Sequence, residues 1–128
     1  MKIIETNNAP AAIGPYSQAI AIGDLIFTSG QIPLDAISGK IEAQGIKEQT
    51  EKVIANLSAV LEAAGSSIDR VIKTTCFLRD IGDFAAFNEV YSKYFSGKPA
   101  RSCVEVSNLP KSALVEIEAI ALLGGEEI

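Results

Sequence analysis

The segment that most narrows the folding options is Val115-Glu-Ile-Glu-Ala-Ile-Ala-Leu-Leu123. Read with the two-residue period of a strand, one face holds Val115, Ile117, Ala119, Ala121 and Leu123, and the other adds Ile120 and Leu122 to two glutamates. A strand apolar on both sides belongs in a sheet that is covered on both sides. The chain has 128 residues, a length that predicts one domain over 1–128, and its periodicity yields only two helices. In the first, Ile46, Val53, Leu57, Val60, Leu61 and Ala64 recur at helical spacing until Gly65 stops the pattern. In the second, Phe84, Phe87, Tyr91, Tyr94 and Phe95 share a face assigned to the core, with Asp83 as N-cap and Gly97 and Pro99 beyond the end. Two helices cover one face, so the other is predicted to pack against further copies of the chain in a closed oligomer.

The strand runs complete the fold class. Ala19–Ile22 and Leu25–Ser29 flank Gly23-Asp24, a two-residue hairpin signal in which Gly supplies the positive φ of a type II′ turn. Val71–Leu78 is β-branched and short, which reads as a strand. Ser102–Val106 and Val115–Leu123 close the chain, joined by the turn Asn108-Leu109-Pro110-Lys111, with Glu105 in the partner strand as a solvated or cross-strand charge. The predicted order is ββαβαββ, an α+β domain with two helices on one sheet.

The composition removes whole classes of chemistry. There is no histidine, so Ser-His-Asp triads, Cys-His pairs and His-ligated metal sites are excluded together. Sixteen acidic residues against eleven scattered basic ones give a net charge of −5, which argues against nucleic acid as a partner. Cys76 and Cys103 have no zinc or CxxC spacing and read as reduced core residues. The N-terminus lacks a signal-peptide pattern, and no stretch approaches the roughly 18 apolar residues of a membrane span, so a cytoplasmic protein is expected.

What remains are carboxylates, an arginine and small loops. Glu116 and Glu118 share one side of an otherwise apolar strand. They are either rim carboxylates held by Lys or Arg, or withdrawn groups whose raised pKa suits general acid-base work. Arg101, after Pro99-Ala100, is either a structural ion pair or a planar fork for a ligand carboxylate. Gly14-Pro15-Tyr16 and Ser29-Gly30-Gln31 bracket the first hairpin, as turns or as loops that let a ligand approach the backbone. Asn88, in the aromatic stripe, is expected to hydrogen-bond a backbone loop.

Four segments together resemble the reactive intermediate deaminase family, RidA subgroup, also known as the L-PSP endoribonuclease-like or translation-inhibitor family. They are Ala9-Pro-Ala-Ala-Ile-Gly-Pro-Tyr-Ser-Gln18, Thr28-Ser-Gly-Gln-Ile-Pro33, Lys73-Thr-Thr-Cys-Phe-Leu78 and Pro99-Ala-Arg-Ser-Cys-Val-Glu-Val106, with Val115-Glu-Ile-Glu-Ala-Ile-Ala121 in keeping. The match runs from about Asn8 to Ala121 without large gaps, and the Leu-Leu-Gly-Gly-Glu-Glu-Ile tail departs from it. The resemblance implies a chorismate-mutase-like fold and a homotrimer with active sites between subunits. It also implies hydrolysis of enamines and imines of 2-amino acids, such as 2-aminoacrylate and 2-iminopropanoate, to 2-keto acids and ammonia, the activity of a 2-iminobutanoate/2-iminopropanoate deaminase. No cofactor and no metal are implied. By motif position, Arg101 clamps the substrate carboxylate and Glu116 orients or activates water. Gly30 and Cys103 meet the substrate through main-chain groups, Tyr16 and Ser29 line the pocket, and Asn88 joins the binding set.

Two other functions stand beside this one. An endoribonuclease or translation inhibitor is poorly served by a chain without histidine or a basic patch, since three copies at −5 each would carry about −15. A non-catalytic sensor of small carboxylates needs Arg101 but has no evident need of Glu116.

Overall fold

The computed structural model describes residues 1–124; the last four residues of the Leu-Leu-Gly-Gly-Glu-Glu-Ile tail lie outside the described residues. The strands are β1 (Lys2–Ile4), β2 (Ala19–Ile22), β3 (Leu25–Thr28), β4 (Val71–Leu78), β5 (Ala100–Glu105) and β6 (Val115–Leu122), and the helices are α1 (Gly45–Ala63) and α2 (Phe84–Tyr94). They form one mixed sheet in the order β1-β2-β3-β6-β4-β5, with both helices on one face. The α+β class is as predicted. The hairpin at Gly23-Asp24 is also present: Gly23 has φ 57°, and Ile22 pairs with Leu25.

The sheet corrects the sequence reading at two places. A short strand, β1, precedes the predicted order and pairs with β2. More important, β5 and β6 are not neighbours: β6 lies between β3 and β4, antiparallel to both, while β5 pairs parallel with the far side of β4. Burial explains the placement. All four helix-facing residues of β6, Val115, Ile117, Ala119 and Ala121, are buried, whereas no residue of β5 is. The apolar strand takes the centre and the polar one the edge. Glu105 therefore faces no residue of β6; its carboxylate accepts a hydrogen bond from the Ile81 amide at 2.8 Å.

Helix α1 buries Val53, Leu57, Val60 and Leu61 against the sheet. It ends in a Schellman motif: Ser66 N donates to Leu61 O, Gly65 N donates to Glu62 O, and Gly65 takes φ 88°. Two buried amides on α1 fix the loops near the future site. Asn56 Nδ2 donates to Ile32 O and Leu34 O, and Gln49 Oε1 accepts from Leu114 N. Helix α2 corrects two further expectations. Phe87, Tyr91 and Phe95 are buried, but Phe84 and Tyr94 are exposed, so the core stripe is narrower than predicted. Asp83 occupies the N-cap position without a side-chain cap bond, and Asp80 instead accepts from Gly82 N in the preceding turn.

The outer face of the sheet has no helix on it. Ile22, Phe27 and Val104 are exposed there, beside the half-buried Ile20, Phe77, Ile120 and Leu122. Among the described residues no helix is long and apolar enough to cross a membrane.

Candidate active site

Glu116 stands on the outer face of β6, between the fully buried Val115 and Ile117 that point to the helices. Its position is shaped by a bulge. The β3–β6 ladder runs to Phe27 opposite Ile120 and resumes at Gln31 opposite Ile117, so the three residues Thr28 to Gly30 face only Glu118 and Ala119. The Thr28 hydroxyl accepts from Ala119 N where the backbone leaves the ladder. Gly30 then passes directly over the carboxylate: a Cβ there would lie 2.0 Å from Glu116 Oε2. Only glycine admits this approach.

The carboxylate opens into a cavity of about 370 Å³ whose walls include Tyr16, Gln18, Ser29, Gly30, Ile32 and Glu118. Gln18, buried, builds one wall by tying down the preceding loop: Nε2 donates to Thr6 O and Pro10 O, and Oε1 accepts from Thr6 N. Ser29 Oγ donates to Ser17 O at 2.5 Å, and Tyr16 OH accepts from Ile13 N at 3.2 Å. The hydrogen bonds made by the described residues include none to the Glu116 carboxyl group. Burial, reinforced by the Glu118 charge, raises its pKa above the ordinary 4.5. Of the two readings left open for this pair, Glu116 is the withdrawn carboxyl group, and Glu118 is exposed.

Arg101 lies on the opposite face. It is the register partner of Thr74 in the β4–β5 ladder, and its guanidinium sits 4.8 Å from the Tyr91 ring centroid and 5.5 Å from that of Phe84, both on α2. Arg101 Nη1 donates to Asn88 Oδ1 at 2.7 Å. Asn88 thus bonds the arginine side chain and not the backbone loop expected from the sequence, and orients the guanidinium. Arg101 makes no ion pair among the described residues, which removes the structural-salt-bridge alternative within the chain. Its groove, about 310 Å³, is bordered by Asn88, Tyr91 and Pro99.

Cys103 shares the arginine's face, beside Cys76. Both are free thiols. Burial pushes Cys76 up to about 12 and raises Cys103 as well, the nearby Arg101 only partly opposing it, so neither thiol is set up as a thiolate nucleophile. Among the described residues no cluster of His, Cys, Asp or Glu is arranged to hold a metal ion.

The sequence-derived residues therefore fall into two groups. Tyr16, Ser29, Gly30 and Glu116 meet on the outer face; Asn88, Arg101 and Cys103 meet on the helix face. β6 and β4 are adjacent and β5 lies beyond, so the strands bearing Glu116 and Arg101 are two spacings, about 10 Å, apart, with the side chains pointing away from each other. One chain does not bring the acid and the guanidinium together. Sequence reasoning missed Gln18 as the organiser of the acid half; the signal available was an amide beside a Gly-Pro loop that needed its backbone groups satisfied.

Together these features define a small α+β domain whose candidate site residues are divided between the two faces of one sheet. Residues 6–123 match the Endoribonuclease L-PSP family, and the chain belongs to that family, which includes the RutC and Rid proteins. A RutC family protein of Pyrococcus abyssi is 56% identical over 121 residues, covering 94% of this chain and 95% of the relative. The mouse 2-iminobutanoate/2-iminopropanoate deaminase is 47% identical over 124 residues, covering 96% and 92%. Among solved structures, an endoribonuclease-like protein of Thermotoga maritima superposes with a TM-score of 0.93 at 48% identity, covering 98% and 99%. E. coli TdcF with bound serine gives 0.90 at 47% identity, covering 95% and 98%.

Proposed function

We propose that the protein is a cytoplasmic hydrolase that converts 2-imino and 2-enamino acids to 2-keto acids and ammonia. It acts as a closed homotrimer of single-domain, chorismate-mutase-like subunits, with each site between two of them. The observation that carries this reading is the division of the site: Glu116 and Arg101 occupy opposite faces of one sheet, so that pairing them calls for a second copy on the outer face, which carries no helix. The exposed apolar residues Ile22, Phe27 and Val104 give that face a reason to be covered. The identity to the mouse deaminase supports the reaction, and TdcF with bound serine supports a ligand bearing a carboxylate and a nitrogen on the adjacent carbon.

The chemistry asks little of the protein. With Nη1 held by Asn88, the remaining donors of Arg101 take the substrate carboxylate and fix the adjacent C=N carbon in the cleft. A 2-enamino acid first moves a proton from its nitrogen to its β-carbon to give the imine, and the C=N carbon of the imine is already electrophilic. Glu116, its pKa raised by burial, accepts a proton from the attacking water and returns one to the nitrogen. The hydroxyl of the resulting carbinolamine then gives its proton to Glu116, which passes one to the amino nitrogen as the C–N bond breaks and the C=O bond forms, and keto acid and ammonia leave. Main-chain groups at Gly30 and Cys103 complete the ligand contacts, and Tyr16 and Ser29 form the wall.

The test is pyruvate release from 2-aminoacrylate generated in place by a PLP-dependent dehydratase. Wild-type protein accelerates it, Arg101→Ala lowers kcat/KM by about 100-fold or more, and Arg101→Lys recovers only part because the planar fork is lost. Full activity in Arg101→Ala contradicts the role. A carboxylate sensor without turnover is separated by Glu116→Gln: ligand binding retained with turnover lost favours the enzyme.

A further inference from the structure

Arg101 stands on the edge strand β5, where a long side chain has a neighbouring strand on one flank only. Its orientation comes from α2, and chiefly from Tyr91, the nearest of its ring contacts at 4.8 Å. The Tyr91 ring is itself fixed. It stacks on Phe95 with centroids 4.3 Å apart, and its hydroxyl shares a 2.7 Å hydrogen bond with Thr74 Oγ1. Thr74 is completely buried on β4 and is the register partner of Arg101. Thr74 and Arg101 therefore stand side by side on one face, and Tyr91 spans both, its hydroxyl on the threonine and its ring toward the guanidinium.

We propose that Thr74 and Tyr91 are a positioning pair for Arg101: the bond between their hydroxyls sets the tilt of the Tyr91 ring, and the ring holds the guanidinium with its unbonded donors toward the ligand carboxylate. The inference rests on the deaminase reading for what Arg101 grips, but not for how it is held. Packing alone gives little reason for the hydroxyls, because valine and phenylalanine would nearly fill the same volumes and leave only the weak Cys76 thiol donor, 3.8 Å from Thr74 Oγ1, without its acceptor. Burial raises the Tyr91 phenol above its ordinary pKa, so the hydroxyl keeps its proton throughout the working range. Asn88 fixes one nitrogen, Nη1; the ring fixes the plane.

The experiment compares Thr74→Val, Tyr91→Phe and the double variant by three readouts. The first is the Arg101 side-chain NMR signals, whose ring-current shift reports the guanidinium over the Tyr91 face. The second is KM and kcat with 2-iminobutanoate, and the third is thermal stability. Each single variant reduces the ring-current shift and raises KM about fivefold with kcat within about twofold, a size consistent with a partly lost cation–π contact. The double variant recovers stability, because no hydroxyl is left unpaired, yet keeps the raised KM and the altered Arg101 signals. Unchanged Arg101 signals and KM in all three, whatever happens to stability, overturn the proposal. Absence of turnover by the wild-type protein would count against the deaminase reading, while the Arg101 signals still decide the positioning role.

Discussion

Adding one methyl group at position 30 separates what Gly30 does for the fold from what it does for the site. Gly30 is not among the glycines with positive φ, so alanine meets no backbone strain there. Its Cβ would instead lie 2.0 Å from Glu116 Oε2, 2.7 Å from Cδ and 3.0 Å from Cγ. Ordinary contact begins near 3.4 Å, so the carboxyl oxygen must withdraw by about 1.4 Å. The glutamate is a flexible side chain opening onto a cavity, and moving it costs about 1 kcal/mol in rotamer strain, a fall in Tm of about 4 °C. Catalysis is far less tolerant, because displacing a reacting group by about 1 Å costs on the order of 100-fold. Gly30→Ala should therefore remain folded and assembled by calorimetry and light scattering, while kcat/KM for keto-acid release falls about 100-fold. A folded variant with wild-type kcat/KM refutes the placement of Glu116 beneath Gly30 as the working geometry.

The raised pKa of Glu116 predicts a kcat that falls as pH drops through a value above 4.5, measured in kcat because bound substrate then neutralises Arg101; Glu116→Gln loses most of the rate and the acidic limb with it. The same shift favours the protonated carboxyl group in the folded chain, a contribution complete below about pH 4.5 and lost as pH rises through the raised value. With a bound carboxylate ligand neutralising Arg101, Glu116→Gln should accordingly melt higher than wild type at pH 7 but not at pH 4. With its thiol pushed up to about 12, Cys76 should be silent toward a thiol reagent at pH 8 in the native protein and react once guanidinium unfolds it; rapid native labelling of both cysteines contradicts its burial.

Both helices and the first hairpin were legible because periodicity and turn chemistry are local. Val53, Leu57 and Leu61 mark α1 without reference to any other segment, and Gly23-Asp24 marks its turn. The neighbour relation of the last two strands was not local, and adjacency in sequence misled. The contrast between Ala-Arg-Ser-Cys-Val-Glu and Val-Glu-Ile-Glu-Ala-Ile-Ala-Leu carried the answer, since the first cannot fill a central position and the second cannot remain at an edge. Strand β1, with three residues, has too short a pattern to be read. At the site, the residue types were legible and their grouping was not. Whether Arg101 and Glu116 face the same way depends on the register of β5 against β4 and of β4 against β6, which no spacing along the chain encodes. The role of Asn88 as the arginine's hydrogen-bond partner likewise depends on where α2 docks.

Mixing subunits tests the central claim most directly. Arg101→Ala and Glu116→Gln subunits, each inactive alone, are co-expressed with different tags, and trimers carrying both tags are isolated. If each site takes its arginine from one subunit and its glutamate from the next, every such trimer contains one intact site, and keto-acid release returns to about one third of the wild-type rate. If both residues serve within a single subunit, no intact site forms. Mixed trimers no more active than their parents would then contradict the account.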